Sequence, residues 1–125
     1  MKTINTKNAP QAIGPYSQAR VVRNFVFTSG QIPLRPDGSM VSDNFELECI
    51  QVLDNVRAVL KASGSSMSHI IKLTVYLTDL SKFDILNNVF NTYFTDSLPA
   101  RSTIEVSKLP KNSRLEIEAI GLINE

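Results

Sequence analysis

Arg101 stands at the mouth of one strand-like segment, Ala100 to Ser107, and Glu116 and Glu118 sit in the middle of another, Leu115 to Ile120. A Leu109-Pro110-Lys111 break separates the two. An arginine fork suits a carboxylate of a small substrate, because two parallel N–H donors match its two oxygens. A glutamate in a strand suits a positioned base. Glutamate has poor strand propensity and resists burial, so two of them inside one strand call for a reason. Read alone, Arg101 is equally a solvated residue or a structural ion-pair partner for Glu105 or Glu118, and Glu118 is a structural neighbour of Glu116 rather than a second base.

Other chemistries lack their parts. The chain has one histidine, His69, and one cysteine, Cys49, so no zinc cluster is expected. No EF-hand spacing appears, and neither GxxxxGK[ST] nor GxGxxG is present, so no metal or nucleotide cofactor is expected. A Ser-His or Cys-His site would have to use His69, at the entry to a strand with no candidate beside it. Cys49 lies on an apolar helical stripe and reads as a small core residue.

The scaffold that must hold these groups is small: 125 residues suit one domain, 1–125. A hydrophobic fraction of 42% is enough to bury a core. Thirteen Lys and Arg against twelve Asp and Glu leave a net charge of +1, with no basic stripe for nucleic acid. The lone cysteine fits a reducing compartment, the start lacks an apolar leader, and no apolar run has membrane-spanning length, so a cytoplasmic location is expected.

The order of elements is three short strands, helix, strand, helix, strand, strand. Residues 2–6, Ser17–Val22 and Phe25–Ser29 read as strands, the last two joined by a tight Arg23-Asn24 turn. Asn8–Tyr16 and Gly30–Gly38 are proline- and glycine-bearing loops. A first helix spans roughly 43–63, with Asp43 and Glu46 as a capping pair and Phe45, Cys49, Leu53, Val56 and Leu60 on one stripe. Ile71, Leu73, Val75 and Leu77 alternate as a strand. A second helix spans roughly 81–95, capped by Ser81, with Phe83, Leu86, Phe90 and Phe94 buried. The strand after Arg101 should run parallel to the one after His69 through a βαβ crossover. This makes an α+β domain with a mixed sheet. Two helices cover one face only, and Ile120 and Leu122 would share the other with Glu116 and Glu118, so a closed homo-oligomer is expected.

Several collinear motifs resemble the RidA family, also called YjgF/YER057c/UK114. They are Ala9-Pro10-Gln11-Ala12-Ile13-Gly14-Pro15-Tyr16-Ser17-Gln18-Ala19, Thr28-Ser29-Gly30-Gln31-Ile32-Pro33-Leu34, Leu53-Asp54-Asn55-Val56, and Asp79-Leu80 with Phe83 and Asn87. Pro99-Ala100-Arg101-Ser102, Leu109-Pro110-Lys111 and Glu116-Ile117-Glu118-Ala119-Ile120 complete the set. The resemblance covers nearly the whole chain. It implies a chorismate-mutase-like α+β fold, a six-stranded mixed sheet with two helices on one face, and a homotrimer with sites between subunits. It also implies hydrolysis of reactive 2-imino acids (2-iminobutanoate and 2-iminopropanoate) to 2-oxo acids and ammonia without a cofactor, protecting pyridoxal-phosphate enzymes from enamine damage.

By the same resemblance Arg101 holds the substrate carboxylate and Glu116 positions the water. Tyr16, Ser29, Gly30, Asn87 and Thr103 line the pocket. The chain departs from the family at Thr103, where many members have cysteine, and in shorter segments before Pro99 and at Pro36-Asp37-Gly38. Two other functions attach to the same motifs: an endoribonuclease or translation inhibitor, and a non-catalytic, chaperone-like or small-carboxylate-binding trimer.

Overall fold

Strict alternation in the last strand sets the architecture. In β6 (Leu115–Leu122), Leu115, Ile117, Ala119 and Gly121 are buried, while Glu116, Glu118, Ile120 and Leu122 point the other way. A strand repeats its side-chain direction every second residue, so one face packs and the other stays open. The computed structural model describes residues 1–124. The remaining strands are β1 (Lys2–Ile4), β2 (Ala19–Val22), β3 (Phe25–Thr28), β4 (Ile70–Leu77) and β5 (Ala100–Glu105). They form a six-stranded sheet in the order β1-β2-β3-β6-β4-β5. β4 and β5 run parallel and every other neighbouring pair antiparallel, so the sheet is mixed as expected.

Helices α1 (Phe45–Ala62) and α2 (Phe83–Tyr93) lie on one face. The expected α1 stripe is buried, joined by Val52 and Val59. Its start differs from the expected one. Asn44, not Asp43, is the cap, accepting from the Leu47 amide at 3.0 Å, and Asp43 takes a left-handed φ of 67°. Both residue types cap well, so sequence does not separate them. α2 is shorter than expected. Leu80–Lys82 form a 3-10 turn, and Asp79 rather than Ser81 provides the capping oxygen, accepting from the Ser81 amide at 2.9 Å. Leu86, Val89 and Phe90 are its buried residues, and Phe94 is buried just beyond its end. Phe83 is 38% exposed and outside the core.

Three strand ends also differ. β1 stops at Ile4 and β2 starts at Ala19 because the Gln18 side chain takes over the pairing. Its Oε1 accepts from the Thr6 amide at 2.7 Å, and its Nε2 donates to the carbonyls of Thr6 and Pro10. β3 ends at Thr28, whose hydroxyl accepts from the Ala119 amide. Ile71 is turned out by a bulge between Ile70 and Lys72, so Ile70 occupies the inner position instead.

The core runs between α1, α2 and the covered face, through Leu53, Leu60, Leu73, Val75, Leu77, Leu86, Leu115 and Ile117. On the open face Phe25 pairs with Leu122 and Phe27 with Ile120, and Phe25 and Phe27 are 42% and 45% exposed. Among the described residues no helix is long and apolar enough to cross a membrane.

Candidate active site

Glu116 lies between two fully buried residues, Leu115 and Ile117, so the pleat forces it onto the open face. Gln31 pairs with Ile117 from the neighbouring loop, exchanging amide-to-carbonyl bonds of 2.8 and 3.0 Å. That bridge sets Gly30 against the Glu116 side chain. Pro10, Tyr16, Gly30, Gln31 and Pro110 close a small recess of about 40 Å³ around the carboxyl. Burial pushes its affinity for a proton above the usual carboxylate range, and the charge of Glu118 adds to the effect.

The walls of this recess have identifiable supports. Tyr16 is exposed, and its hydroxyl accepts from the Ile13 amide at 3.2 Å, which fixes the ring at the rim. The Ser29 hydroxyl donates to the Ser17 carbonyl at 2.6 Å, so it ties two loop segments together. Asn55, buried on α1, donates to the carbonyls of Ile32 and Leu34 and pins the loop that follows Gly30. The sequence carried a signal for this role, an asparagine among the apolar positions of α1, but no way to name its partners.

Arg101 lies elsewhere. Its register partner is Leu73, a core residue, so it projects toward the helices. Nη2 donates to Oδ1 of Asn87 on α2 at 2.9 Å. The guanidinium carbon lies 4.9 Å from the Phe90 ring centroid and 5.3 Å from that of Phe83. Aromatic faces hold a guanidinium without consuming its donors. Among the described residues no carboxylate pairs with it. Glu105 accepts from the Leu80 amide and Glu118 from the Tyr76 hydroxyl. Burial lowers its proton affinity, and the free donors face a cavity of about 230 Å³ lined by Asn87, Phe90, Phe94, Leu98 and Pro99. Thr103, two residues on along β5 and on the same face, has a buried Oγ1 without a partner.

The expected site residues thus fall into two groups. Arg101, Asn87 and Thr103 occupy the helix-covered side at the sheet edge. Glu116, Gly30 and Tyr16, with Ser29 behind them, occupy the open side. From Arg101 to Glu116 the path crosses two strand spacings and about three residues, roughly 10 Å across and 10 Å along. One small molecule does not touch both within a single chain.

Other expected bystanders behave as such. His69 sits in an exposed turn, with Nδ1 2.8 Å from the Ser66 hydroxyl. Cys49 is fully buried, and burial pushes its thiol up to about 12. Among the described residues no cluster of His, Cys, Asp and Glu could hold a metal ion. A roomier hollow of about 550 Å³ opens between the start of α1 and α2, where Asp43, Glu46, Lys82 and Arg114 mix both signs of charge, and none of the expected residues lines it.

Comparison with known proteins matches residues 6–123 to the family model described as endoribonuclease L-PSP. A RutC family protein of Pyrococcus horikoshii is 48% identical over 121 residues, 96% of each chain. The 2-iminobutanoate/2-iminopropanoate deaminase of Escherichia coli is 44% identical over 124 residues, 97% of each chain. The crystal structure of Escherichia coli TdcF with bound serine superposes with a TM-score of 0.95 at 41% identity, covering 99% of this chain and 100% of that one.

Proposed function

The chain belongs to the endoribonuclease L-PSP family, which is the YjgF/RidA family, and from that membership we propose that it is an imine deaminase. It hydrolyses 2-imino acids such as 2-iminobutanoate and 2-iminopropanoate at sites completed by neighbouring chains of a homotrimer in the cytoplasm. The observation that carries the reading is the pair of half-buried, poorly solvated groups of opposite charge, Arg101 and Glu116, each without an ion-pair partner among the described residues and presented on two sides of one sheet. The deaminase of Escherichia coli and the serine-bound TdcF support it, since serine and 2-imino acids share the carboxylate next to the reacting carbon.

The chemistry asks little of the protein. Arg101 takes the carboxylate on two of its free donors, with Asn87 holding the guanidinium plane and the Thr103 hydroxyl free to donate as well. Glu116 of the neighbouring chain holds a water over the protonated imine carbon. As the water oxygen bonds to that carbon, the C=N electron pair moves to nitrogen and Glu116 accepts the water proton. The same carboxyl returns that proton to nitrogen. The C–N bond then breaks and ammonia leaves, while the remaining hydroxyl proton passes to Glu116 as the carbonyl forms and from there to the departing ammonia. A carboxyl with raised proton affinity is suited to both halves. Tyr16, at the rim, closes the pocket.

Mixed assembly tests this reading directly. Arg101→Ala and Glu116→Ala should each be inactive alone. Refolded together, they should recover about a quarter of the wild-type rate, since one site in four draws an intact residue from each chain. No recovery in mixed trimers would overturn the shared site, and inactivity of the wild type toward several 2-imino acids would overturn the deaminase. The family description also names ribonuclease activity. A salt-dependent RNA-binding assay separates that reading, which the near-neutral charge and the single, turn-bound histidine disfavour.

A further inference from the structure

Glu116 and Glu118 leave β6 on the same face, two residues apart, yet their carboxyls are held differently. Tyr76 on β4 stands directly across from Glu116. Its hydroxyl passes that neighbour and donates to Oε1 of Glu118 at 2.5 Å. Glu116 turns instead to the bare backbone of Gly30, with no side-chain donor among the described residues. A phenol bonded to Glu116 would occupy the lone pair that a base needs. Parked on Glu118, it leaves Glu116 free and fixes a second carboxylate nearby.

Resting on the reading of Glu116 as the base, we propose that Tyr76 and Glu118 are its positioning residues: the phenol anchors a standing negative charge one pleat away, and that charge holds Glu116 ready to take a proton from water and return it to the leaving nitrogen. Among the described residues no cation forms an ion pair with Glu116 or Glu118. The residues lining the recess carry no charge besides Glu116 itself, and Tyr16 is the other titratable group there. On β4 the nearest cation on this face is Lys72, paired with Ile120 and so on the far side of Glu118 from Glu116. Thr74 and, on β5, Ser102 and Ile104 complete the face without charge. The bond to Glu118 also pushes the Tyr76 phenol up to about 12, so the anchor keeps its proton wherever the enzyme works.

Carboxyl carbon NMR of the assembled protein, labelled at the glutamate side-chain carboxyl, reads this arrangement, with Glu116→Gln assigning the signal. In Glu118→Gln the Glu116 midpoint should fall by about one pH unit, the size expected for a like charge at this separation. In Tyr76→Phe, which frees the carboxylate without removing it, the midpoint should move the same way by less. The acidic limb of kcat/KM for imine hydrolysis should follow both shifts. A merely structural pair would lower the melting temperature and leave the midpoint where it is. An unmoved midpoint in both folded variants overturns the proposal. A wild type that fails to hydrolyse imines while the midpoint still moves overturns the deaminase reading and upholds the charge coupling.

Discussion

A side chain at position 30 has no room beside Glu116: a Cβ on Gly30 would lie 2.4 Å from Oε2 and 2.8 Å from Cγ of that glutamate. The obstacle is the end of a flexible arm rather than backbone, so the fold can yield where the site cannot. Gly30→Ala should keep the melting temperature within a few degrees of wild type while imine hydrolysis falls by about 100-fold, the scale of a misplaced catalytic group. A steady-state assay beside a thermal melt checks both halves.

Burial of the Glu116 carboxyl has a cost for folding, and its sign follows from the direction of the shift. Its folded proton affinity is raised, so its favourable contribution is complete below the unfolded value near pH 4.3 and is lost as pH rises through the folded value. At pH 7 to 8 the folded chain must keep an ionised group in a poorly solvated place. Glu116→Gln should therefore melt a few degrees higher than wild type at pH 8 and show no gain near pH 4. Melts across that range check the slope.

The buried Glu48 is held by Arg114 through the Nε–Oε1 contact at 3.0 Å and a second bond from Nη2 to Oε2, with the Phe45 ring under the guanidinium. Removing one partner leaves an uncompensated buried charge, which costs about 3–5 kcal/mol. Arg114→Ala should lose stability on that scale in urea unfolding. Replacing both residues with methionine should lose far less, because the charge and its partner leave together.

Cys49 should be inert. Its thiol is fully buried and pushed up to about 12 by that burial and by the neighbouring Glu48. A thiol reagent at pH 8 should leave the native protein unlabelled for hours and label one equivalent within minutes in denaturant. Mass spectrometry reads the difference.

Much of this was legible in the sequence. The α1 stripe, the alternation of β6 and the loops around Gly14 and Gly30 follow from period and turn chemistry, and so did the placing of Glu116 on the open face. The side taken by Arg101 was not legible, because it depends on the parallel register that pairs it with Leu73. The same limit hid the bulge that turns Ile71 outward, the Gln18 amide that replaces a rung of the β1–β2 ladder, and the Asn55 bonds to Ile32 and Leu34. Each is a contact between residues far apart in the chain, where local propensity carries no information. Phe83 misled for a different reason. It has the spacing of a core residue, but its ring packs against the Arg101 guanidinium at the surface.

The division of Arg101 and Glu116 between two faces of one sheet bears on dose. On the shared-site reading a lone chain carries two inert halves, and turnover per chain rises with the amount made until assembly saturates. Below that threshold the protein is silent, and dilution switches it off without any inhibitor. A second, similar chain in the same cell that can join the ring would contribute one half of each mixed site, so the two would set each other's activity by their relative abundance.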